Sequence, residues 1–375
     1  MVRNLARDFA QREIAPLARE YDRRAEFPWE LWRKMAPLGL LGGIIPPEYG
    51  GMGIDHVAHS LFIEELGRAD MSLATTVAVH IDLVGQTLLE WGNQEQKQSY
   101  VPRLAKGEIT GYYALTEPNA GSDPSSLETT AARDGDDWVL NGSKMFITNG
   151  TIADFGIVFA QTDRSKGHRG MAAFIVDKDA PGFSARELHG KMGLRASSTA
   201  ELVFEDCRVP GRNLLGSVGE GFRIAMHALD NGRFGIASAC VGCAQASIDA
   251  AVKYAQAREQ FGRQIGTFQL IQEMIADMVV ETEAARLLVW RTACLKDKGD
   301  LAVQEVSIAK YFASEAAIRA ANRAIQVHGG YGFIDEYPVE RYLRDVRVTT
   351  LYEGTSEVQK LIIARNATGL SAFGH

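Results

Sequence analysis

Close to the C-terminus, the segment LYEGTSE (351–357) sets a carboxylate, Glu353, between Tyr352 and Gly354. A carboxylate buried beside an apolar ligand has its pKa raised toward neutrality and can serve as a general base. The glycine after it lets a ligand approach the backbone closely. Taken alone, a late Glu is ordinarily a solvated surface residue, so its partners in the chain decide. Three other polar loops have the composition of ligand contacts: TEPNAGSD at 116–123, FITNG at 146–150 and HGGYG at 328–332. By pattern alone each of them is equally a turn.

Several chemistries are excluded by type and spacing. No strand runs into GxGxxG and a helix, since GEGF at 219–222 and GGYGF at 329–333 have the wrong spacing and context, and no Walker A sequence occurs. A Rossmann dinucleotide fold is therefore not expected despite 37 glycines. Cys240 and Cys243 have redox-motif spacing, but they lie in FGIASACVGCAQASIDAAVKYA, where steps of three and four residues make one buried helix face. Four scattered cysteines make no disulfide framework and fit a reducing compartment. His56 and His59 lack Cys or acidic partners at metal spacing, so no metal site is expected. Forty basic against forty-seven acidic residues leave a net charge of −7, which argues against a nucleic-acid partner.

The elements that must position these loops fall into three zones of the 375-residue chain. The first is helical by period, broken at Phe27-Pro28, Ile45-Pro46-Pro47 and Trp91-Gly92-Asn93. The second has short alternating runs such as DWVLNGSKMFIT, DFGIVFAQT and GMAAFIVDK. The third regains the helical period through 221–258, 267–297, 301–328 and from about 355, with EQFGRQIGTFQ (259–269) as a link. The expected fold is α+β: an N-terminal helical domain (1–111), a central β domain of barrel or sandwich type (112–212) and a C-terminal four-helix bundle (213–375). No apolar run approaches the ~20 residues of a membrane span, and GLLGGII at 39–45 is broken by glycines. A protein without a membrane span is expected. The N-terminal stretch reads as a first helix rather than a secretory signal, because Asp8 and Glu13 interrupt any apolar centre.

Six segments in order, YYALTEPNAGSD (112–123), NGSKMFITN (141–149), KMGLRASSTAELVFEDCRVP (191–210), REQFGRQIGTFQ (258–269), QVHGGYGFIDEYPVERYLRD (326–345) and LYEGTSEVQ (351–359), resemble the acyl-CoA dehydrogenase family. The resemblance runs from RDFAQREIAP (7–16) to IARNATG (363–369), and that family's helical, β and four-helix-bundle domains match the three zones. It implies an FAD enzyme that oxidises the Cα–Cβ bond of an acyl-CoA thioester to the trans-2-enoyl-CoA. Glu353 would take the α-proton while a hydride passes from Cβ to flavin N5, with its own backbone N–H and a flavin ribityl hydroxyl polarising the thioester carbonyl. Some members draw the base from the first long helix of the bundle, at the position of Gly232 in LDNGR (229–233). Glycine cannot be a base, so Glu353 is the one candidate that the resemblance supports.

The resemblance also assigns contacts. Tyr113, Leu115, Thr116, Gly121 and Ser122 would run along the isoalloxazine and pyrophosphate, and Phe146, Ile147 and Thr148 would cover the other edge of the ring. Arg258, Phe261, Phe268, Gln269, Gln326, Val327, Gly329 and Gly330 would reach the FAD of a neighbouring subunit, with His328 supporting that loop. Thr355, Ser356 and Glu357 would complete the adenosine end. For the substrate, Ser122 would meet the CoA, Asp230 and Arg233 its adenine end, and Tyr352 and Gly354 the thioester. FAD shared between subunits implies a homotetramer, a dimer of dimers, and the usual electron acceptor is an electron-transfer flavoprotein. The expected substrate is a short or branched acyl chain, from fatty-acid or branched amino-acid breakdown, in the cytoplasm of a bacterium or the mitochondrial matrix of a eukaryote. The alternatives are a flavin oxidase or monooxygenase using O2 on the same fold, or a non-enzymatic relative.

Overall fold

The structure, a computed structural model, describes residues 2–373. Helices occupy the first zone: Val2–Phe9, Ala18–Arg24, Trp29–Met35, His56–Ala69, Met71–Ala78, Gln86–Trp91 and Gln94–Ala105. Their starts follow from side chains that accept otherwise unpaired N–H groups. Asp55 accepts Ala58 N, Asp70 accepts Leu73 N, and Asn93 with Gln96 forms a reciprocal capping box. Between Met71–Ala78 and Gln86–Trp91 the chain stays helical through a π-type stretch, Val79–Gly85. Such a bulge re-aims side chains, here Leu83 and Asp82.

The second zone is an eight-stranded sheet with the hydrogen-bonded order Phe183–Glu187, Thr199–Val209, Asp137–Thr148, Thr130–Asp134, Phe155–Gln161, Met171–Asp177, Leu214–Leu215. Gly111–Ala114 pairs in parallel with Phe155–Gln161. The ladder is open at both ends rather than closed by hydrogen bonds. Phe155–Gln161 is buried along its whole length, as a strand covered on both faces must be.

The third zone holds Gly221–Ala257, Gln269–Lys296, Val303–His328 and Ser356–Thr368, close to the spans expected from periodicity. The link that reads as a loop contains a small antiparallel ladder, Glu259–Gln260 with Arg263–Gln264. Cys240 and Cys243 lie buried in the long first helix, and burial pushes the Cys240 thiol up to about 11. One core joins Phe62, Leu66 and Val77 of the N-terminal helices to Phe234, Ala239 and Ala313 of the bundle. A second joins Val84 and Leu104 to the sheet residues Ile157 and Ile175. The segment LYEGTSE lies against the first of these cores through Tyr352.

The expectation about apolar length needs correction. Met71–Trp91 and Gly221–Ala257 are both long and apolar enough to cross a membrane, with mean hydropathies of 1.2 and 1.3. Scattered Gly, Ser, Thr and His hide this from a search for unbroken runs. In the structure 89% and 78% of the two windows are buried inside the protein, as helices apolar all round are when they form a core.

Candidate active site

Glu353 adopts φ +53° and Gly354 φ +89°. The left-handed region costs a side-chain-bearing residue roughly 1–2 kcal/mol, so the turn must be held from outside. It enters from the 3-10 turn Arg347–Thr350 and leaves into Ser356–Thr368, where the Thr355 hydroxyl accepts Val358 N at 3.3 Å. All three carbonyls of 352–354 are engaged. Lys310 Nζ donates to Tyr352 O (3.0 Å) and Gly354 O (2.7 Å). Arg233 Nε donates to Glu353 O (2.9 Å), and Gln359 Nε2 to Glu353 O (3.0 Å) and Gly354 O (3.2 Å). At φ +89°, where L side chains are strained, and with a Cβ on residue 354 standing 2.6 Å from Gln359 Nε2, the turn favours glycine.

The Glu353 residue as a whole is half-buried, but its Oε2 is enclosed and has no hydrogen-bond partner among the described residues. Desolvation pushes its pKa well above the usual carboxylate range; the charges of Lys310 and then Arg233 oppose this, and Asp82 reinforces it. Gly232 stands directly opposite. A Cβ there would lie 2.7 Å from Glu353 Oε1 and 2.7 Å from Leu83 Cδ2. Residue 232 on the helix and residue 353 on the loop therefore face one point in space, and glycine leaves that point to the Glu353 carboxyl.

The TEPNAGSD loop is anchored from below. Fully buried Lys144 donates to Leu115 O (3.2 Å) and pairs with Glu117 (2.7 Å), whose carboxylate also accepts Thr129 N (3.0 Å) and Glu128 N. Thr116 O accepts Met145 N at 2.9 Å. Tyr113 is buried with its hydroxyl donating to Ala225 O at 3.1 Å, while Gly121 and Ser122 are exposed. Between Lys144 and Ile147 the register with Thr199–Val209 shifts, and Phe146 sits there at φ +60°. It is 68% exposed rather than a core aromatic. A bulge that presents an aromatic at positive φ is a device for meeting a ligand. Ile147 packs inward and Thr148 is half-buried.

A second cluster lies apart from the first. A cavity of about 560 Å³ is lined by Tyr254, Arg258, Gln326, Val327, Gly329 and Gly330 among others, and by none of residues 113–148. His328 stacks on Tyr254 at 4.3 Å and hydrogen-bonds Ala324 O at 2.8 Å. A Cβ at Gly329 or Gly330 would meet nothing within 4 Å, which leaves the backbone open to a ligand such as a phosphate. Phe261, at φ +54°, and Phe268 meet edge-on at 6.0 Å on the neighbouring hairpin, and Gln269 is exposed. These features fit the two ends of a long flavin dinucleotide on separate surfaces of one protomer.

At three places the structure adds surroundings that the sequence did not show. Arg233, expected at the nucleotide end of CoA, is only 5% exposed, donates beneath Glu353 and pairs with Asp230 at 2.8 Å. It holds the turn that carries Glu353. Ser356 gives its hydroxyl to Glu315 (2.7 Å) and Thr355 serves as a helix cap, while Glu357 is exposed; none of the three lines the Arg258 cavity. His59 and His56 do have acidic partners, Asp82 and Asp297, each at 2.7 Å and distant in sequence. Among the described residues no cluster of three or more His, Cys, Asp or Glu side chains could hold a metal.

Lys310, Lys144, Asp82 and Leu83 escaped the sequence reading. For two of them a signal existed: Lys310 falls among Val306, Ala309 and Ala313 on the buried face of its helix, and Lys144 on the inward alternation Trp138, Leu140, Lys144. A lysine at an apolar position is a candidate for a buried charge with a task.

Comparison with known proteins completes the picture. Sequence profiles described as the N-terminal, middle and C-terminal domains of acyl-CoA dehydrogenase match residues 1–108, 113–207 and 219–368. The chain is 47% identical over 364 residues to the mitochondrial short-chain specific acyl-CoA dehydrogenase of Mus musculus, covering 97% of this chain and 88% of that protein. Butyryl-CoA dehydrogenase from Megasphaera elsdenii superposes with a TM-score of 0.95 at 41% identity, covering 98% of this chain and 97% of that one. A glutaryl-CoA dehydrogenase from Mycobacterium smegmatis, in complex with FADH2, gives a TM-score of 0.95 at 36% identity over 100% and 95% of the two chains.

Proposed function

The chain belongs to the acyl-CoA dehydrogenase family, FAD-dependent oxidoreductases, and from that premise we propose a short-chain acyl-CoA dehydrogenase in which Glu353 is the base. The observation that carries this reading is the enclosed Glu353 carboxyl, unpartnered at Oε2 and facing Gly232. FAD, when bound, supplies the acceptor for the hydride that leaves Cβ. The chain supplies everything else. Glu353 takes the α-proton, made acidic by the thioester carbonyl. Its raised pKa matches it to that weak acid, because proton transfer is most effective when donor and acceptor are comparable. The Glu353 N–H, without a hydrogen-bond partner among the described residues, is free to donate to the thioester oxygen as charge develops there.

Leu115, Thr116 and Phe146 would hold the flavin ring. Arg258, Gln326 and Gly329–Gly330 would hold the pyrophosphate and adenosine of a second copy's FAD, since one protomer keeps these surfaces apart. Arginine suits the phosphates through its bidentate fork. Exposed Leu270, Val280 and Leu287 on Gln269–Lys296, together with Phe261 and Phe333, form apolar surface that a partner copy would cover, consistent with a homotetramer. An electron-transfer flavoprotein is the proposed acceptor for the two electrons.

A short acyl chain is favoured by the similarity to short-chain enzymes. Anaerobic mixing with straight and branched acyl-CoA thioesters tests both claims. The flavin is expected to bleach fastest with butyryl-CoA or isobutyryl-CoA. A protein that purifies colourless and binds no FAD sinks the reading, and fastest bleaching by a long chain overturns the chain length. Arg258→Ala is expected to lose flavin and fall to smaller assemblies together, with FAD affinity down by more than about tenfold, the loss of one charge-assisted contact. Light scattering and bound-flavin absorbance check this; a flavin-replete tetramer would refute the shared site.

A further inference from the structure

Lys310 is fully buried on the apolar face of Val303–His328, among Val306, Ala309 and Ala313. Burying an ammonium is costly unless its charge is used. Its hydrogen bonds alone do not require a charge. Gln359 already donates to the Gly354 carbonyl, and Arg233 and Gln359 to that of Glu353, so Tyr352 O is the one acceptor in the turn that depends on Lys310. A neutral amide could serve that acceptor.

The charges around it explain the ammonium. Arg233 is already paired with Asp230, and Asp82 with His59 and Gln86. Glu315 is engaged by Ser356. The groups that bear on Lys310 are Glu353 first, then Cys240, Arg233 and Glu315; those that bear on Glu353 are Lys310 first, then Arg233 and Asp82. Each is thus the other's leading electrostatic partner. Without Lys310, Glu353 would face one cation already paired and a second carboxylate of like sign.

We propose that Lys310 is the positioning residue of the base: its ammonium, donating to the carbonyls on either side of Glu353, fixes the left-handed turn that aims the carboxylate and supplies the positive charge it faces. The inference rests on Glu353 being the base. Burial depresses the Lys310 pKa and raises that of Glu353, so the two are drawn toward each other. Removing the ammonium leaves desolvation and Asp82 less opposed, so Glu353 holds its proton to higher pH.

Lys310→Met, of similar length and no charge, and Lys310→Gln, which keeps a donor without charge, separate the two roles. In single-turnover bleaching by butyryl-CoA, both variants are expected to move the acid limb of the pH profile up by about one unit, a roughly tenfold slowing at low pH. In Lys310→Gln the rate should approach that of the parent at alkaline pH, whereas Lys310→Met, which also leaves Tyr352 O without its donor, should remain slower there, with flavin content preserved in both. Independently of turnover, the infrared band of the protonated Glu353 carboxyl, identified by its loss in Glu353→Gln, should persist to higher pH in flavin-free Lys310→Met. An acid limb that does not move in Lys310→Gln, slowing by the same factor at every pH in that variant, a Lys310→Met rate equal to that of Lys310→Gln at alkaline pH, or a Lys310→Gln protein that fails to fold or to retain flavin would each overturn the proposal. If instead Glu353→Gln still bleaches, the base assignment itself has failed, and the two failures are distinct.

Discussion

Glu353→Gln is expected to bind FAD and acyl-CoA as the parent does while flavin bleaching slows by roughly three orders of magnitude, within the range ascribed to a positioned general base. The amide preserves the shape that fills the space opposite Gly232, 2.7 Å from the virtual Cβ of that glycine, and it cannot accept the α-proton. Stability carries an independent sign. A carboxyl whose folded pKa is raised contributes its stability below the unfolded pKa and loses it as pH rises toward the folded value. Because burial raises Glu353, its ionised form works against the fold at neutral and alkaline pH. The variant should therefore unfold no earlier than the parent at mildly alkaline pH. Bleaching within tenfold of the parent rate, followed anaerobically in a stopped-flow spectrometer, would remove Glu353 from the chemistry.

How much of this was legible in the sequence depended on the range of the cause. Helices and strands follow from local period, and 221–258, 267–297 and 301–328 were placed to within a few residues. The small ladder at Glu259–Gln264 was missed because each strand has two residues and no period. Glu353 was legible only through the company of five other segments, since a lone carboxylate carries no sign of burial. The contacts that its supports make were not legible. Arg233 lies 120 residues, and Lys310 42 and 44 residues, from the carbonyls they hold, and although a lysine on an apolar helix face hints at a buried charge, nothing local names its partner. Arg233 shows this most plainly: an arginine near an expected nucleotide is chemically plausible, and only the fold shows it donating to Glu353 O and paired with Asp230.

The same logic makes Lys144 a place where a single substitution should cost much stability. Lys144 lies fully buried in Asp137–Thr148, and burial pulls its pKa down to about 8 against the opposing pull of Glu117. Glu117 in turn is raised by burial but lowered further by Lys144 and by the N–H groups of Thr129 and Glu128, so it stays ionised. Removing one member of such a pair strands the other charge, which costs roughly 3–5 kcal/mol. Lys144→Met should therefore lower stability by about that amount in urea unfolding of the flavin-free protein. It should also loosen FAD by more than about tenfold, because Lys144 anchors Leu115 O under the flavin loop through one of the stronger, charge-assisted hydrogen bonds. Adding Glu117→Gln, which neutralises the stranded carboxylate yet keeps an acceptor for Thr129 N, should return most of the stability but little of the FAD affinity, since Leu115 O still lacks its donor. If the double variant is as unstable as the single one, the loss comes from packing rather than from the unpaired charge. If Lys144→Met costs under about 1 kcal/mol, the pair carries no more than an exposed one would, and the flavin loop is held by something other than this lysine.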